Sequence, residues 1–573
     1  MRPSAFGFAA LLSFFSLGLF AAEQPPSAIR IDQIGYPANA PKLAAVVHPA
    51  AGSEFSVHRV SDGETVYRGS LGDAINARDS GETIRLADFS PLTSEGVYEL
   101  RIEGVGSSDP FTISTAPYSN LLRLATRSYY GQRCGIAVDL APEFPGYEHA
   151  ACHLSGGYHA SSGRKGEHPS AGGWHDAGDY GRYVVNSGIS TGTLLWAWEI
   201  FPAALRDLDL AIPESNNDVP DFLDEVRWNL EWMLSMQDKD GGVWHKQTSE
   251  DFATLETAPD EDPWISYVVG TGSAPYKSSC ATAEFASTMA IASRVYAPFD
   301  DAFASRTRDA AMSAWNWLEK HPNVAFRRNP RGVVTGEYAD RDCSDERLWA
   351  AAEIWRTTGD EAVGRWFVAH SKDAIDSIEE DNPPNWREVG AMAAWTYALS
   401  GKGDAATVAT IRERSLRAAH AIVERSRKHG YHIPLQTDDY VWGSNGVAAE
   451  YGVQLLVANE LEPDSSYREA ALEIVHYLLG RNPFSLSWVT GAGARPVMHP
   501  HHAPSVADDN LAPWPGLLAG GPNRNRQDPS LKRMPRGTPP GKMYVDDEPS
   551  YASNEIAINW NAPLVFVLAG VSE

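Results

Sequence analysis

From Tyr118 to the C-terminus, apolar residues recur at helical spacing in twelve successive windows, with no strand-like alternation between them. The windows fall near 118–134, 184–201, 219–237, 281–297, 301–320, 344–358, 361–379, 387–400, 405–428, 446–460, 464–480 and 553–571. In the third, Phe222, Val226, Leu230 and Met233 share one face, and Asp218 and Pro220 stand where a helix start wants them. Twelve helices without intervening strands pair off into a ring, so the spacing predicts an (α/α)6 barrel over 118–573. The preceding stretch, 28–115, reads differently. Alternating runs such as Lys42–His48, Glu54–His58 and Gly96–Ile102 are separated by Gly, Asp, Ser and Pro. About seven such runs predict a small all-β immunoglobulin-like sandwich.

Three long segments rich in Gly, Pro and Asn interrupt the helices, at 138–183, 240–280 and 482–552. Loops this long in a compact domain usually carry function. The last contains Trp488, Trp514 and Tyr544, which a mere linker would not need.

The formal net charge is -26. Such a field repels nucleic acid and anionic membranes, and equally acidic polysaccharides, so a neutral substrate is expected. Residues 1–22 carry one Arg, an apolar run from Ala5 to Phe20 and then Ala21-Ala22, the layout of a cleaved secretory signal. The mature chain is therefore expected to be exported, secreted or periplasmic, and to work as a monomer away from the membrane. Four Cys in 573 residues cannot be a disulfide framework.

Two segments carry catalytic chemistry. In Gly173-Trp-His-Asp-Ala-Gly-Asp-Tyr-Gly-Arg-Tyr183, two carboxylates three residues apart are flanked by glycines that permit close backbone approach. Neighbouring carboxylates raise each other's pKa values, which suits positioning and activating a water. The plainer alternative is a pair of aspartates capping the helix at 184. In the second segment, Tyr544 to Ala562, Glu555 opens the last helical window among Tyr551, Ile556 and Trp560. Apolar neighbours would make it hold its proton, as a general acid must. The alternative is a Glu complementing a helix dipole.

Together these segments resemble glycoside hydrolase family 9, the inverting cellulases. Tyr544, Asp546, Tyr551, Glu555, Ala557, Asn561 and Ala562 fall at the spacing of the family's C-terminal signature. Asp176–Asp179 resembles its Asp-Ala-Gly-Asp motif, and Leu479–Phe484, Ser487–Gly491 and His499–His502 its third segment. The resemblance implies Asp179 as general base, Asp176 as its partner on the same water and Glu555 as general acid. His501 and Asp546 would join the active site, with Trp442, His502 and Tyr551 binding sugar; core packing remains the alternative for Trp442. It also implies a β-1,4-glucan substrate. An exo-acting glucosidase or glucosaminidase, or a carbohydrate-binding protein with a dead site, are the competing readings. One position departs from the family: Ala503 stands where an Arg usually contacts sugar.

Cys134, Cys152, His153 and His175 offer two thiolates and two imidazoles, a closed set suited to structural zinc. Their scattered spacing does not prove a site; the resemblance implies one, since the branch of the family with an immunoglobulin-like domain binds zinc through a matching set. A Cys134–Cys152 disulfide is the alternative. Asp345 and Glu346 resemble a family calcium site, with an ordinary charged helix start as the alternative. Cys280 and Cys343 have no assigned role.

Overall fold

The structure, a computed structural model, describes residues 25–49 and 52–573. The export signal expected at 1–22 lies outside these residues.

The N-terminal domain is a sandwich of ten short strands among the described residues. One sheet has the order β1-β3-β7-β6, formed by Ile29–Arg30, Leu43–Val46, Glu82–Asp88 and Ile75–Ala77. The other has the order β2-β10-β8-β4-β5, formed by Gly35–Pro37, Phe111–Ser114, Gly96–Ile102, Glu54–Arg59 and Thr65–Ser70, with β9 (Gly106–Ser107) paired to β8. All pairings are antiparallel except β2 with β10. Inward residues of both sheets, among them Tyr36, Phe55, Phe89, Tyr98 and Phe111, make its core. Strand alternation foretold about seven runs; the extra strands are two or three residues long, too short for a period of two to register.

Twelve helices of ten or more residues follow among the described residues. They are α1 Ser119–Gly131, α2 Val184–Ile200, α3 Asp221–Ser235, α4 Ser279–Tyr296, α5 Asp301–Leu318, α6 Ser344–Thr358, α7 Glu361–Asp376, α8 Gly390–Leu399, α9 Ala405–Lys428, α10 Ser444–Leu461, α11 Ser465–Leu478 and α12 Ile558–Ser572. The even-numbered helices touch one another in turn and close an inner ring; the odd-numbered ones pack outside it. This is the (α/α)6 barrel. Sequence pattern sorts the two rings. Every residue of α4 except Arg294 is buried, as an inner helix covered on all sides requires. The outer helix α3 buries Phe222, Val226, Leu230 and Met233 on one face and leaves Glu231 half-exposed on the other. One helix start was misplaced: the last helix begins at Ile558, and Glu555 precedes it in extended backbone, after the single turn Tyr551–Asn554.

The two domains are joined by buried polar contacts. Asp32 Oδ2 lies 2.9 Å from both the Tyr118 hydroxyl and His476 Nδ1, with Asp32 and His476 fully buried. Arg30 donates to both oxygens of Glu82 and to the Tyr431 hydroxyl. Buried ionic groups without partners cost several kcal/mol, so these pairs fix one docking geometry.

Candidate active site

The segments leading into the inner helices converge at their N-terminal ends. Asp176–Tyr183 precedes α2, Tyr338 precedes α6, Trp386 precedes α8, Trp442 precedes α10 and Glu555 precedes α12. All contribute to the wall of one cleft of about 1300 Å³. Each functional side chain thus sits on a loop whose far end is clamped by a packed helix.

Backbone pairing holds the Asp176–Asp179 turn and the Glu555 segment together. His501 and Glu555 form a parallel bridge, with His501 N donating to Asn554 O at 2.8 Å. Ala503 N donates to Gly178 O at 3.0 Å, and Ile558 N to Asp176 O at 2.9 Å. A Cβ on Gly178 would stand 2.2 Å from the His501 carbonyl oxygen, so the Asp-Ala-Gly-Asp turn needs glycine there. Neither plain alternative survives. Asp176 and Asp179 do not cap α2, whose start carries no side-chain cap, and Glu555 does not open a helix.

Asp176 is buried; its Oδ1 accepts from Asn186 Nδ2 at 2.7 Å and its Oδ2 from the Tyr338 hydroxyl at 2.6 Å. Burial, and then the Asp179 carboxylate, push its pKa up to about 8. Asp179 is half-buried, with Oδ2 accepting from Gly181 N and the Tyr183 hydroxyl, each at 3.1 Å. Desolvation raises its pKa as well, against the pull of those donors and of Lys246. Glu555 accepts from the Trp442 indole at 3.0 Å, and desolvation followed by the charges of Asp179 and Asp176 holds its pKa well above the usual range. Three carboxyls facing one cavity cannot all ionise together, so the site separates an acid from a base.

Several residues that build this site carry no local sequence signal. Lys246, fully buried, donates from Nζ to Asn329 Oδ1 at 2.7 Å, Gly336 O at 2.7 Å and Thr335 Oγ1 at 3.0 Å. It lies 5.4 Å from the Tyr183 ring, whose hydroxyl holds Asp179, and desolvation lowers its pKa to about 7. Tyr338 stands 162 positions from the Asp176 that it serves. Trp386 packs edge-on against the Tyr338 ring. Tyr183 closes the Gly173–Tyr183 segment, but the sequence alone assigns it no role.

The remaining expected residues divide. Trp442 is 39% exposed and lines the cleft, so core packing does not explain it. Tyr551 braces it, ring centroids 5.5 Å apart. His501 stacks edge-on against Tyr551, with Nδ1 2.7 Å from Glu548 O. Asp546 accepts from Met498 N, His499 N and Asn554 Nδ2 at 2.9–3.0 Å, and so ties the His501 segment to the Glu555 segment. His502 departs from expectation. It is fully buried, with Nε2 on Gln132 Oε1 at 2.9 Å and Nδ1 on Ser505 Oγ at 2.8 Å, and has no nitrogen left for a sugar. Ala503 is buried too, with its backbone N–H donating to Gly178 O at 3.0 Å.

Residues 118–568 match the glycosyl hydrolase family 9 catalytic domain, and residues 24–107 match the cellulase N-terminal ig-like domain. The chain belongs to glycosyl hydrolase family 9. Endoglucanase D of Acetivibrio thermocellus is 38% identical over 550 residues, spanning 95% of this chain and 83% of that protein. A xyloglucan-specific endo-beta-1,4-glucanase of Bacteroides ovatus is 34% identical, spanning 94% of this chain and 93% of its own length. Among solved structures, a thermostable endoglucanase from Alicyclobacillus acidocaldarius superposes with a TM-score of 0.87 at 32% identity, covering 96% of this chain and all of that one.

In this family 9 chain, Cys134, Cys152, His153 and His175 converge, with one ligand atom from each lying within 4.8 Å of the others. Both thiols are buried and free, which removes the alternative of a Cys134–Cys152 disulfide. His153 Nε2 lies 3.0 Å from Asp262 Oδ2, while its Nδ1 is buried without a hydrogen-bond partner. A carboxylate on one imidazole nitrogen leaves the other as a lone pair, the usual outer support of a metal-bound histidine.

The acidic residues at the start of α6 are also unusual. Asp345 Oδ2 accepts from Val389 N at 2.7 Å. Glu346 and Glu284 are fully buried, and neither oxygen of either carboxylate has a partner; Asp340 Oδ2 is equally bare. Desolvation raises all four pKa values, and charges within the group add to it at Glu284, Asp345 and Glu346. An ordinary helix start does not bury its acids this way. Nearby, Cys280 and Cys343 form a disulfide, 63 residues apart in sequence, that ties α4 to the residue preceding α6. Sequence spacing gave no hint of this pair.

Proposed function

We propose that this protein is an exported endo-β-1,4-glucanase that cuts its substrate with inversion of the anomeric carbon. The observation that carries the reading is the separation of roles in the cleft. Glu555, whose pKa is raised by desolvation and by the Asp179 and Asp176 charges, stands as the proton donor, and Asp179, accepting from Gly181 N and the Tyr183 hydroxyl, as the proton acceptor beside Asp176. Glu555 gives its proton to the glycosidic oxygen as the bond breaks. Asp179 takes a proton from a water that attacks the opposite face, a water that Asp176 helps to orient. Inversion requires the two carboxyls to stand roughly 6.5–9.5 Å apart, with that water between them. His501 and Tyr551 fix Trp442 and the backbone beneath Glu555, so the acid keeps its orientation.

A cleft of about 1300 Å³, walled by both domains, exceeds what a pocket for one terminal sugar needs and supports internal cleavage. On a soluble β-glucan, viscosity should fall well before reducing ends accumulate, with several short oligosaccharides as early products. A single small product released from the start, with viscosity tracking reducing ends, would establish the exo-acting reading.

Cys134, Cys152, His153 and His175 would hold a structural zinc ion. Four protein ligands leave no open position, so the metal supplies cross-linking rather than bond cleavage. His175 adjoins Asp176, and the ion thus anchors the catalytic turn. Stoichiometric analysis should find about one zinc per chain. Chelation should lower Tm by about 5 °C or more, because the free energy of a structural site is folding free energy. Purified protein that contains no zinc and is unaffected by chelators would exclude the site. The unpartnered carboxylates of Glu284 and Glu346 and the unpartnered Oδ2 of Asp340, with Asp345, support a calcium ion at the start of α6, where a hard dication would repay their burial. The Cys280–Cys343 disulfide suits an oxidising compartment and so accords with export.

A further inference from the structure

The immunoglobulin-like domain contributes to the cleft wall. Asn76, Ala77, Arg78 and Asp79, from β6 and the turn after it, line the same cavity as Asp176, Asp179 and Glu555. They enter it next to His429 and Gly430, at the end of α9.

This turn is not a loose edge of a spectator domain. Asp79 Oδ2 lies 2.9 Å from His429 Nε2 and accepts from the Tyr440 hydroxyl, and Asp79 O accepts from Gly541 N at 2.8 Å. Glu82, the strand partner of Ala77, pairs with Arg30 at 2.8 Å and with Lys542 at 2.7 Å. Ile84 and Ala77 pack so closely on Gly430 that a Cβ there would stand 2.6 Å from Ile84 Cδ1. Buried bonds thus hold the turn at a fixed position in the wall, as a binding contact must be.

Its two outward side chains are left unused. Arg78 is exposed, and its guanidinium makes no hydrogen bond or ion pair among the described residues. Asn76 Oδ1 accepts from Thr83 Oγ1 at 3.1 Å, which leaves its amide N–H groups free. A fixed backbone carrying donors with no protein partner, inside a substrate cleft, is the arrangement for hydrogen-bonding a ligand. The surroundings select its chemistry. Glu379, Asp381, Asp438 and Asp79 line the same cleft, so an anionic sugar would be repelled, whereas neutral hydroxyls accept from a guanidinium and an amide.

We propose that Asn76 and Arg78 form a sugar subsite supplied by the immunoglobulin-like domain, which binds the hydroxyls of a neutral glycosyl residue remote from the scissile bond. This rests on the glucan reading above. A contact made equally in ground and transition states acts on KM rather than kcat. The test is kinetics of full-length Arg78→Ala and Asn76→Ala on cellohexaose and on an aryl β-cellobioside, which occupies only the sites around Glu555. Arg78→Ala should raise KM for cellohexaose about 5- to 10-fold, and Asn76→Ala about 2- to 3-fold, with kcat, Tm and aryl cellobioside kinetics unchanged. Native KM on cellohexaose, or an equal loss on both substrates, would overturn the subsite. Failure of the glucan reading looks different: the native protein would then be inactive on both substrates, and the subsite would fall with it.

Discussion

Replacing Glu555 by Gln should leave the fold and sugar affinity nearly intact and reduce turnover of an unactivated β-glucan by about 10²–10⁴-fold. The amide keeps the shape and can still accept from the Trp442 indole, but it has no proton to give. Dependence on the leaving group distinguishes this role from a structural one. An aryl glycoside with an acidic phenol needs little protonation, so its hydrolysis should be hurt far less. The pH profile gives a second signature. Burial and the neighbouring Asp179 and Asp176 charges raise the pKa of Glu555, so the native enzyme loses activity on the alkaline side as this proton leaves. On the aryl substrate, Glu555→Gln should flatten that alkaline limb and keep the acidic limb, which reports protonation of the Asp176–Asp179 pair. Near-native turnover of an unactivated glucan by the variant would remove Glu555 from the acid role.

Asp179→Ala is the complementary case. Without a base, no substrate is spared, because every leaving group still requires an activated water. Loss should reach about 10²–10⁴-fold on glucan and aryl glycoside alike. The two variants together therefore separate acid from base by leaving-group dependence alone. If Asp179→Ala instead spared the aryl substrate as Glu555→Gln does, Asp179 would be excluded as the base.

Local periodicity carried the barrel because each helix either buries one stripe or is covered all round, and both patterns persist over ten or more residues. It failed at Glu555, where the apolar run through Ile556 and Ala557 begins before the helix does. That segment is extended because it pairs with His501, a contact no window around residue 555 can reveal. The carboxylate pair of the cleft was legible because glycine and aspartate cluster within one short turn. Their tuning was not, since Tyr338 and Lys246 reach Asp176 and Tyr183 only through the closed ring. His502 was misjudged for the same reason: adjacency to His501 says nothing about direction, and in extended backbone neighbouring side chains point opposite ways. Cys134, Cys152, His153 and His175 illustrate the intermediate case. Their residue types were suggestive, and convergence within 4.8 Å supplied what spacing could not.

In the proposed mechanism Asp179 activates water while Glu555 protonates the leaving group, in a single displacement. Proton NMR of the first products formed from a β-linked cello-oligosaccharide, recorded before mutarotation, tests it directly. The account predicts that the α-anomer appears first at the newly formed reducing end. Initial appearance of the β-anomer would contradict it, and would make Asp179 a nucleophile in a two-step retaining reaction.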